Sequence, residues 1–200
     1  MKQSIQIMKH FSTITKQLST YQYKAISCSD FKRAVVAVIL LPQADTGAEL
    51  LFIKRSEHPA DPWSGHVAFP GGRVDPEDNG IKDAVFREVQ EEIDLDLQQR
   101  GTYLGRLNDV RAMARGKRLP MVISPFVFSI TQKPDVTLSD EVVETLWVPL
   151  TFFYQKNAES IFPYKLKGIN IPLPCYRYEG RVIWGLTYKM LQNFLHIIGA

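Results

Sequence analysis

The segment Gly71 to Leu97, GGRVDPEDNGIKDAVFREVQEEIDLDL, constrains the fold more than any other stretch of the chain. Ala84, Val85, Val89 and Ile93 recur at helical spacing and predict a helix over 82–93 with one buried face. On such a helix Glu88, Glu91 and Glu92 lie three and four residues apart, so their carboxylates share one stripe. Like charges gathered this way need basic side chains, solvent or a hard cation beside them. An oxygen-only set, with no Cys or His in the stripe, suits Mg²⁺ or Mn²⁺ better than zinc. Arg87, four residues ahead of Glu91, is placed to pair with it and orient it. Just upstream, Gly71 and Gly72 let backbone atoms come close to a metal or a phosphate, where a Cβ would intrude. Standing alone, REVQEE would read as a solvated acidic face; its position after the diglycine changes that reading.

Around this segment the pattern is α+β with a mixed sheet. The β-branched run from Lys32 to Leu41 predicts a strand, 43–47 a turn, and Glu49 to Lys54 its hairpin partner. A short strand is expected over His66 to Phe69. Others are expected at Tyr103 to Leu107, Val122 to Ile130 and Thr145 to Val148. A hairpin around Glu179 and Gly180 precedes a final helix carrying Leu186, Met190, Phe194 and Ile197 on one side. The basic stretch from Asp109 to Pro120 lacks strand-like alternation and reads as a mobile surface loop beside an anionic ligand. Ile7, Phe11, Ile14, Leu18 and Tyr21 form one apolar stripe. We therefore expect an N-terminal helical extension over 1–30, packed on the domain or on a partner subunit in a homodimer, and a single domain over 31–200.

Composition excludes several classes. A net charge of +3, with basic residues dispersed among acids, gives no electrostatic case for a nucleic-acid partner. The longest apolar run, Ala34 to Leu41, is well short of the ~20 residues that span a bilayer, so no membrane partner is expected. Cys28 and Cys175 lack metal-ligand spacing and read as free thiols in a reducing, cytoplasmic setting.

Taken together, Phe69, Pro70, Gly71, Gly72, Arg87, Glu88, Glu91 and Glu92 resemble the signature of the Nudix hydrolase family. That resemblance implies an α/β/α sandwich with a mixed β-sheet and Mg²⁺-dependent (or Mn²⁺-dependent) cleavage of a pyrophosphate linkage in a small nucleotide substrate. It implies Glu88, Glu91, Glu92 and Gly72 as metal ligands, with Arg87 completing the catalytic set. The chain departs from the usual pattern at Asp94, where a Gly ends the helix, and at Asp78 and Asn79, where a Glu stands in the loop. The run LLFIKRSEHPADPWSGHVAFPGGRVDPED is similar to the extended motif of the coenzyme A pyrophosphatases, as are ISPFVF, EVVETLWVPL and VIWGLT.

Candidate substrate-binding residues are Arg55 and Arg73, each a phosphate clamp or a surface ion-pair residue, together with Gly71, Gly72 and His66. His66 is a phosphate donor or a satisfied structural histidine, and Trp63 stacks on a base or packs a turn. Arg111, Arg115, Lys117 and Arg118 are further cations for a 3′-phosphate. Glu91, Glu92, Glu141 and Glu144 are candidate general bases. Two other classes stay open: a nucleotide-binding module without catalysis, against which the intact glutamates argue, and an isomerase, which calls for an active-site thiol.

Overall fold

The computed structural model describes residues 2–27, 31–43, 46–59, 61–114, 116–155 and 157–199, with side chains from residue 11 onward. Its centre is a seven-stranded mixed sheet. β1 (Lys32–Gln43) runs antiparallel to β2 (Gly47–Arg55) and parallel to β6 (Lys117–Ile130). β3 (Val67–Ala68) and β7 (Val142–Pro149) pair with β2, while β4 (Gly101–Arg106) and β5 (Val110–Ala114) pair with β6. Val35 to Leu40 are buried throughout. The run is continuously apolar because β1 has layers against both faces of the sheet.

One face takes α2 (Ile81–Ile93), whose Ala84, Val85, Val89 and Ile93 pack on Val35, Ala37, Ile39 and Leu51. The opposite face takes α1 (Lys2–Thr20) and α5 (Gly185–Ile197), through Ile14, Leu18, Met190, Leu191 and Phe194. The architecture is thus an α/β/α sandwich of the expected class. Two short helices, α3 (Leu97–Arg100) and α4 (Leu150–Phe153), complete the helical set among the described residues. No helix among them is long and apolar enough to cross a membrane.

The N-terminal stripe is used on its own sheet: Ile14 and Leu18 are each 1% exposed and Phe11 packs beside them. Tyr21, just past the helix, donates its hydroxyl to Asn108 Oδ1 at 3.0 Å. The Ile7 side chain, Cys28 and Arg115 lie outside the described residues. Cys175 is a buried free thiol.

The stretch from Asp109 to Pro120 is not a mobile loop. β5 and β6 form a hairpin, with Arg111 opposite Val122, Met113 opposite Arg118 and Ala114 opposite Lys117. Val110 and Ala112 are buried, an alternation too short to stand out among basic neighbours. Asp109 anchors its base. Its buried carboxylate accepts from the Ile26 amide at 2.9 Å, Ser124 Oγ at 2.9 Å, Arg33 Nη1 at 3.2 Å and Arg106 Nη2. Burial alone would raise its pKa, but these donors and the Arg106 charge hold it below the ordinary carboxylate value.

A second correction concerns the C-terminal third. Besides the anticipated turn at Glu179 and Gly180, β8 (Glu159–Leu166), β9 (Ile169–Tyr178) and β10 (Arg181–Trp184) make a separate three-stranded antiparallel sheet. β8 and β9 meet through Lys167 and Gly168, both at positive φ, as a two-residue hairpin turn demands.

Candidate active site

Pro70, Gly71 and Gly72 lie against the first half of β1. The Ala37 amide donates to Pro70 O and the Val35 amide to Gly72 O, each at 2.8 Å. The strand therefore holds the loop in place by main-chain bonds, and Gly71 is needed at that approach, while Gly72 makes room for the Glu88 carboxylate. A Cβ on Gly71, where φ is +140°, would lie 2.2 Å from Val35 O; one on Gly72 would lie 2.2 Å from Glu88 Oε2. So α2 and the diglycine loop touch, and Glu88 rests over Gly72.

Glu92 projects from the same helix stripe and is only 4% exposed. Its Oε2 accepts from the Gly71 amide at 2.7 Å and its Oε1 is 3.6 Å from Arg55 Nη1. Burial pushes its pKa up; the Gly71 amide and Arg55 pull it back, and Glu88 and Glu141 add to the rise, leaving it at about 8. Glu88 is also raised, chiefly by burial, despite Arg87 beside it.

Arg87 gathers the loop and the helix. It donates from Nε and Nη2 to the two oxygens of Asp78, at 3.0 and 3.1 Å, and from Nη1 to Glu88 and Glu91, each at 3.1 Å. Its Nη2 also reaches Arg73 O at 2.9 Å. Asp78 thus occupies the place of the expected loop glutamate, as a bidentate partner that holds Arg87 in orientation. The Asp78 carboxyl is lowered by its hydrogen bond from Arg87.

Two parts of this arrangement fit a hard cation. Among the described residues, the close partners of the buried Glu92 carboxylate are one amide and a guanidinium 3.6 Å away, which leaves its charge under-compensated. Beside it, Glu88 occupies the space a Cβ would take at Gly72, so oxygens of both glutamates and the loop backbone border one small volume. Among the described residues no three His, Cys, Asp or Glu side chains form a closed ligand cluster. Arg87 draws Glu91 outward, where its side chain is 59% exposed, and the Gly72 carbonyl already accepts the Val35 amide.

The other candidates divide. Arg55, Arg73, His66, Gly71, Gly72, Glu88, Glu91 and Glu92 all border one cleft of about 810 Å³. Arg55 is an ion-pair residue within it, holding Asp61 Oδ2 at 2.9 Å as well as facing Glu92. His66 lies against the Trp184 ring, centroids 4.6 Å apart, and burial lowers its pKa, so its neutral form is favoured. Trp63 also borders the cleft, and its indole N–H donates to Met113 O at 3.2 Å. Glu141 borders the cleft too, whereas Glu144 is tied to Arg181. Arg111 stacks on Phe31, 3.6 Å from its centroid, donates its Nε to Leu119 O and does not border the cleft. Cys175 sits in β9 and does not border the cleft.

Sequence reading missed Asp61 and the aromatic wall built by β8 and β10. Trp184 packs against Phe162 and Tyr164 at 4.5 and 5.1 Å between centroids. The signal available was alternation: Phe162, Tyr164 and Leu166 recur every second residue before Lys167 and Gly168.

The chain matches the NUDIX domain model over residues 31–165. Among curated proteins it is 33% identical over 104 residues to the uncharacterized protein C14C4.10c of Schizosaccharomyces pombe, a match that covers 50% of this chain and 32% of that protein. It is 28% identical over 158 residues to the uncharacterized Nudix hydrolase NudL of Photorhabdus laumondii, covering 78% of this chain and 81% of that one. It is 26% identical over 170 residues to the mitochondrial coenzyme A diphosphatase NUDT8 of Mus musculus, covering 83% and 79% respectively. Among solved structures, a Caenorhabditis elegans Ap4A hydrolase in a binary complex superposes with a TM-score of 0.50 at 24% identity, covering 60% of this chain and 81% of that one. A MutT/nudix protein from Enterococcus faecalis gives 0.50 at 16% identity, covering 96% and 79%. These two superpositions concern the fold.

Proposed function

The chain belongs to the NUDIX family, whose members here include hydrolases of pyrophosphate linkages, and from that premise we propose that its substrate is coenzyme A or an acyl thioester of it. The products are then 3′,5′-ADP and a 4′-phosphopantetheine. The observation that carries the hydrolytic reading is Glu92, buried on the Gly71 amide beside Glu88 and short of positive charge. The coenzyme A reading is supported by the likeness to the mouse diphosphatase over most of both chains. Residues 31–200 form the catalytic domain in this reading, and 1–30 its helical extension.

Glu88, Glu91 and Glu92, with loop backbone at Gly72, are the residues to hold Mg²⁺ or Mn²⁺. When bound, that ion neutralises phosphate oxygens and acidifies water. Arg87 keeps Glu88 and Glu91 oriented, and Asp78 keeps Arg87 oriented. Arg73, exposed on the cleft, is the available cation for a phosphate oxygen. Glu141, which borders the cleft near enough to Glu92 for its charge to raise that carboxyl, is the residue we assign to take a proton from water. Glu144 is held by Arg181, and Glu92 by Gly71 and Arg55. Glu141→Gln is expected to lower kcat at saturating Mg²⁺ by roughly 10²-fold; an unchanged kcat assigns the base elsewhere. The test of substrate is kcat/KM for coenzyme A, dephospho-coenzyme A, ADP-ribose and NADH. A preference for either of the last two overturns the coenzyme A assignment.

A further inference from the structure

Beyond the diglycine loop the cleft has an apolar half that the chemistry does not use. Leu119, Met121 and Ile123 alternate along β6 and all border it, so they point to one side of the strand. Ala34 and Val36 of β1 lie beside them; Ala34 is directly opposite Ile123. Trp63 and Trp184 border the same cleft, and the Trp63 indole is pinned to Met113 of the adjoining hairpin. Outside the cleft lining, Leu166 of β8 and Gly116 lie close, a Cβ on Gly116 falling 2.8 Å from Leu166 Cδ2. Two hairpin tips, far apart in sequence, therefore meet there.

We infer that this trough holds the long uncharged arm on one side of the scissile pyrophosphate, making Leu119, Met121 and Trp63 the residues that determine specificity. The inference rests on the coenzyme A reading above and names where its pantetheine arm lies. Length supports it. From Ile123 to Leu119 the row advances four residues, about 13 Å at strand rise. A phosphopantetheine arm has about thirteen bonds from phosphorus to sulfur, or ~15 Å extended at the pitch of an extended main chain. The terminal ribose of ADP-ribose ends about 6 Å from its phosphorus on the same scale, too short to run along the row. A nucleobase would leave most of the trough empty. It would also find Trp184 already packed by His66, Phe162 and Tyr164, with centroids at 4.6, 4.5 and 5.1 Å. Because the trough is open along one side, the two amides of the arm keep their water while its methyl and methylene groups face Leu119 and Met121.

The test is the ratio of kcat/KM for coenzyme A to that for ADP-ribose. Leu119 is part-exposed, and Leu119→Arg places a long cation across the trough; this ratio is expected to fall at least tenfold, chiefly through KM for coenzyme A. Trp63→Ala, on the other wall, serves as a second variant should Leu119→Arg fold poorly, and is expected to lower the ratio severalfold. Lys165→Gln, on the outward face of β8, is the control and leaves the ratio within twofold. Free 4′-phosphopantetheine is expected to inhibit wild-type hydrolysis of ADP-ribose competitively, and to do so at least tenfold less well in Leu119→Arg. A wild type that cleaves coenzyme A, with the ratio unmoved in both wall variants, overturns the trough assignment alone. A wild type that does not cleave coenzyme A overturns the substrate reading, and the trough assignment with it.

Discussion

Replacing Glu92 with Gln separates the electrostatics of the site from its shape. The amide oxygen of Gln keeps the acceptor for the Gly71 amide, 2.7 Å away in the native protein, and loses only the carboxylate charge facing Arg55 at 3.6 Å. In the folded protein without metal, burial first of all raises Glu92 to about 8, from an ordinary value of 4.5. The folded state therefore holds this proton over a pH range in which the unfolded chain has released it. A raised carboxyl stabilises the fold below the unfolded value, and that contribution is lost as pH rises towards the folded one. Between pH 5 and 7.5 the wild type should lose about 1.4 kcal/mol per pH unit relative to Glu92→Gln, a few kcal/mol in all, and the difference should level off above 8. Urea denaturation of both proteins in EDTA across pH 5.5–8.5 measures this difference, and other titrating groups cancel between them. With Mg²⁺ present, the proton and the ion compete for one carboxylate, so apparent Mg²⁺ affinity should rise about tenfold per pH unit below 8. Hydrolysis by the variant should fall by roughly 10²-fold or more. A stability difference that does not change with pH would refute the argument that Glu92 is a desolvated, under-compensated carboxylate.

The two glycines of the loop should respond differently to the same change. Gly71→Ala drives a Cβ to 2.2 Å from the backbone oxygen of Val35 at positive φ, and is expected to destabilise the fold by roughly 2–4 kcal/mol by denaturant titration. Gly72→Ala meets the end of the Glu88 side chain instead, so it should fold with little loss while kcat falls and the apparent Mg²⁺ requirement rises. Asp94 ends α2 at φ 54°, ψ 38°, and Asp94→Gly should stabilise by about 0.5–1 kcal/mol, less what the exposed Gln90 to Asp94 hydrogen bond contributes. A lower melting temperature for Asp94→Gly would reverse that reading.

Much of the frame was legible in the residues because it repeats. Helical spacing gave the buried face of α2, and a β-branched run gave β1, although the strand continues past the expected end at Leu41 through Pro42 to Gln43. The left-handed residue at Asp94 followed from the family resemblance, whose pattern has a Gly at that place. Partners across the chain were not legible, since nothing local records them. Arg55 reads equally as a phosphate clamp or an ion-pair residue until Asp61 and Glu92 are seen on either side of it, and Arg111 reads as an available cation until the Phe31 ring is seen beneath it. The strand over 122–130 was legible, but the hairpin over 110–120 that feeds it was hidden, because among its basic residues only buried Val110 and Ala112 carry the strand pattern. The cleft wall was hidden because Trp184, Phe162 and Tyr164 come from two strands whose pairing is not printed in either one alone.

The most direct measurement follows the products formed from coenzyme A by mass spectrometry, in Mg²⁺ and in EDTA, for the wild type and Glu92→Gln. The account expects 3′,5′-ADP and 4′-phosphopantetheine in equal amounts from the wild type with Mg²⁺, and only traces in EDTA or from the variant. Equal turnover by Glu92→Gln, or cleavage undiminished by EDTA, would contradict a hydrolytic site centred on the α2 glutamates.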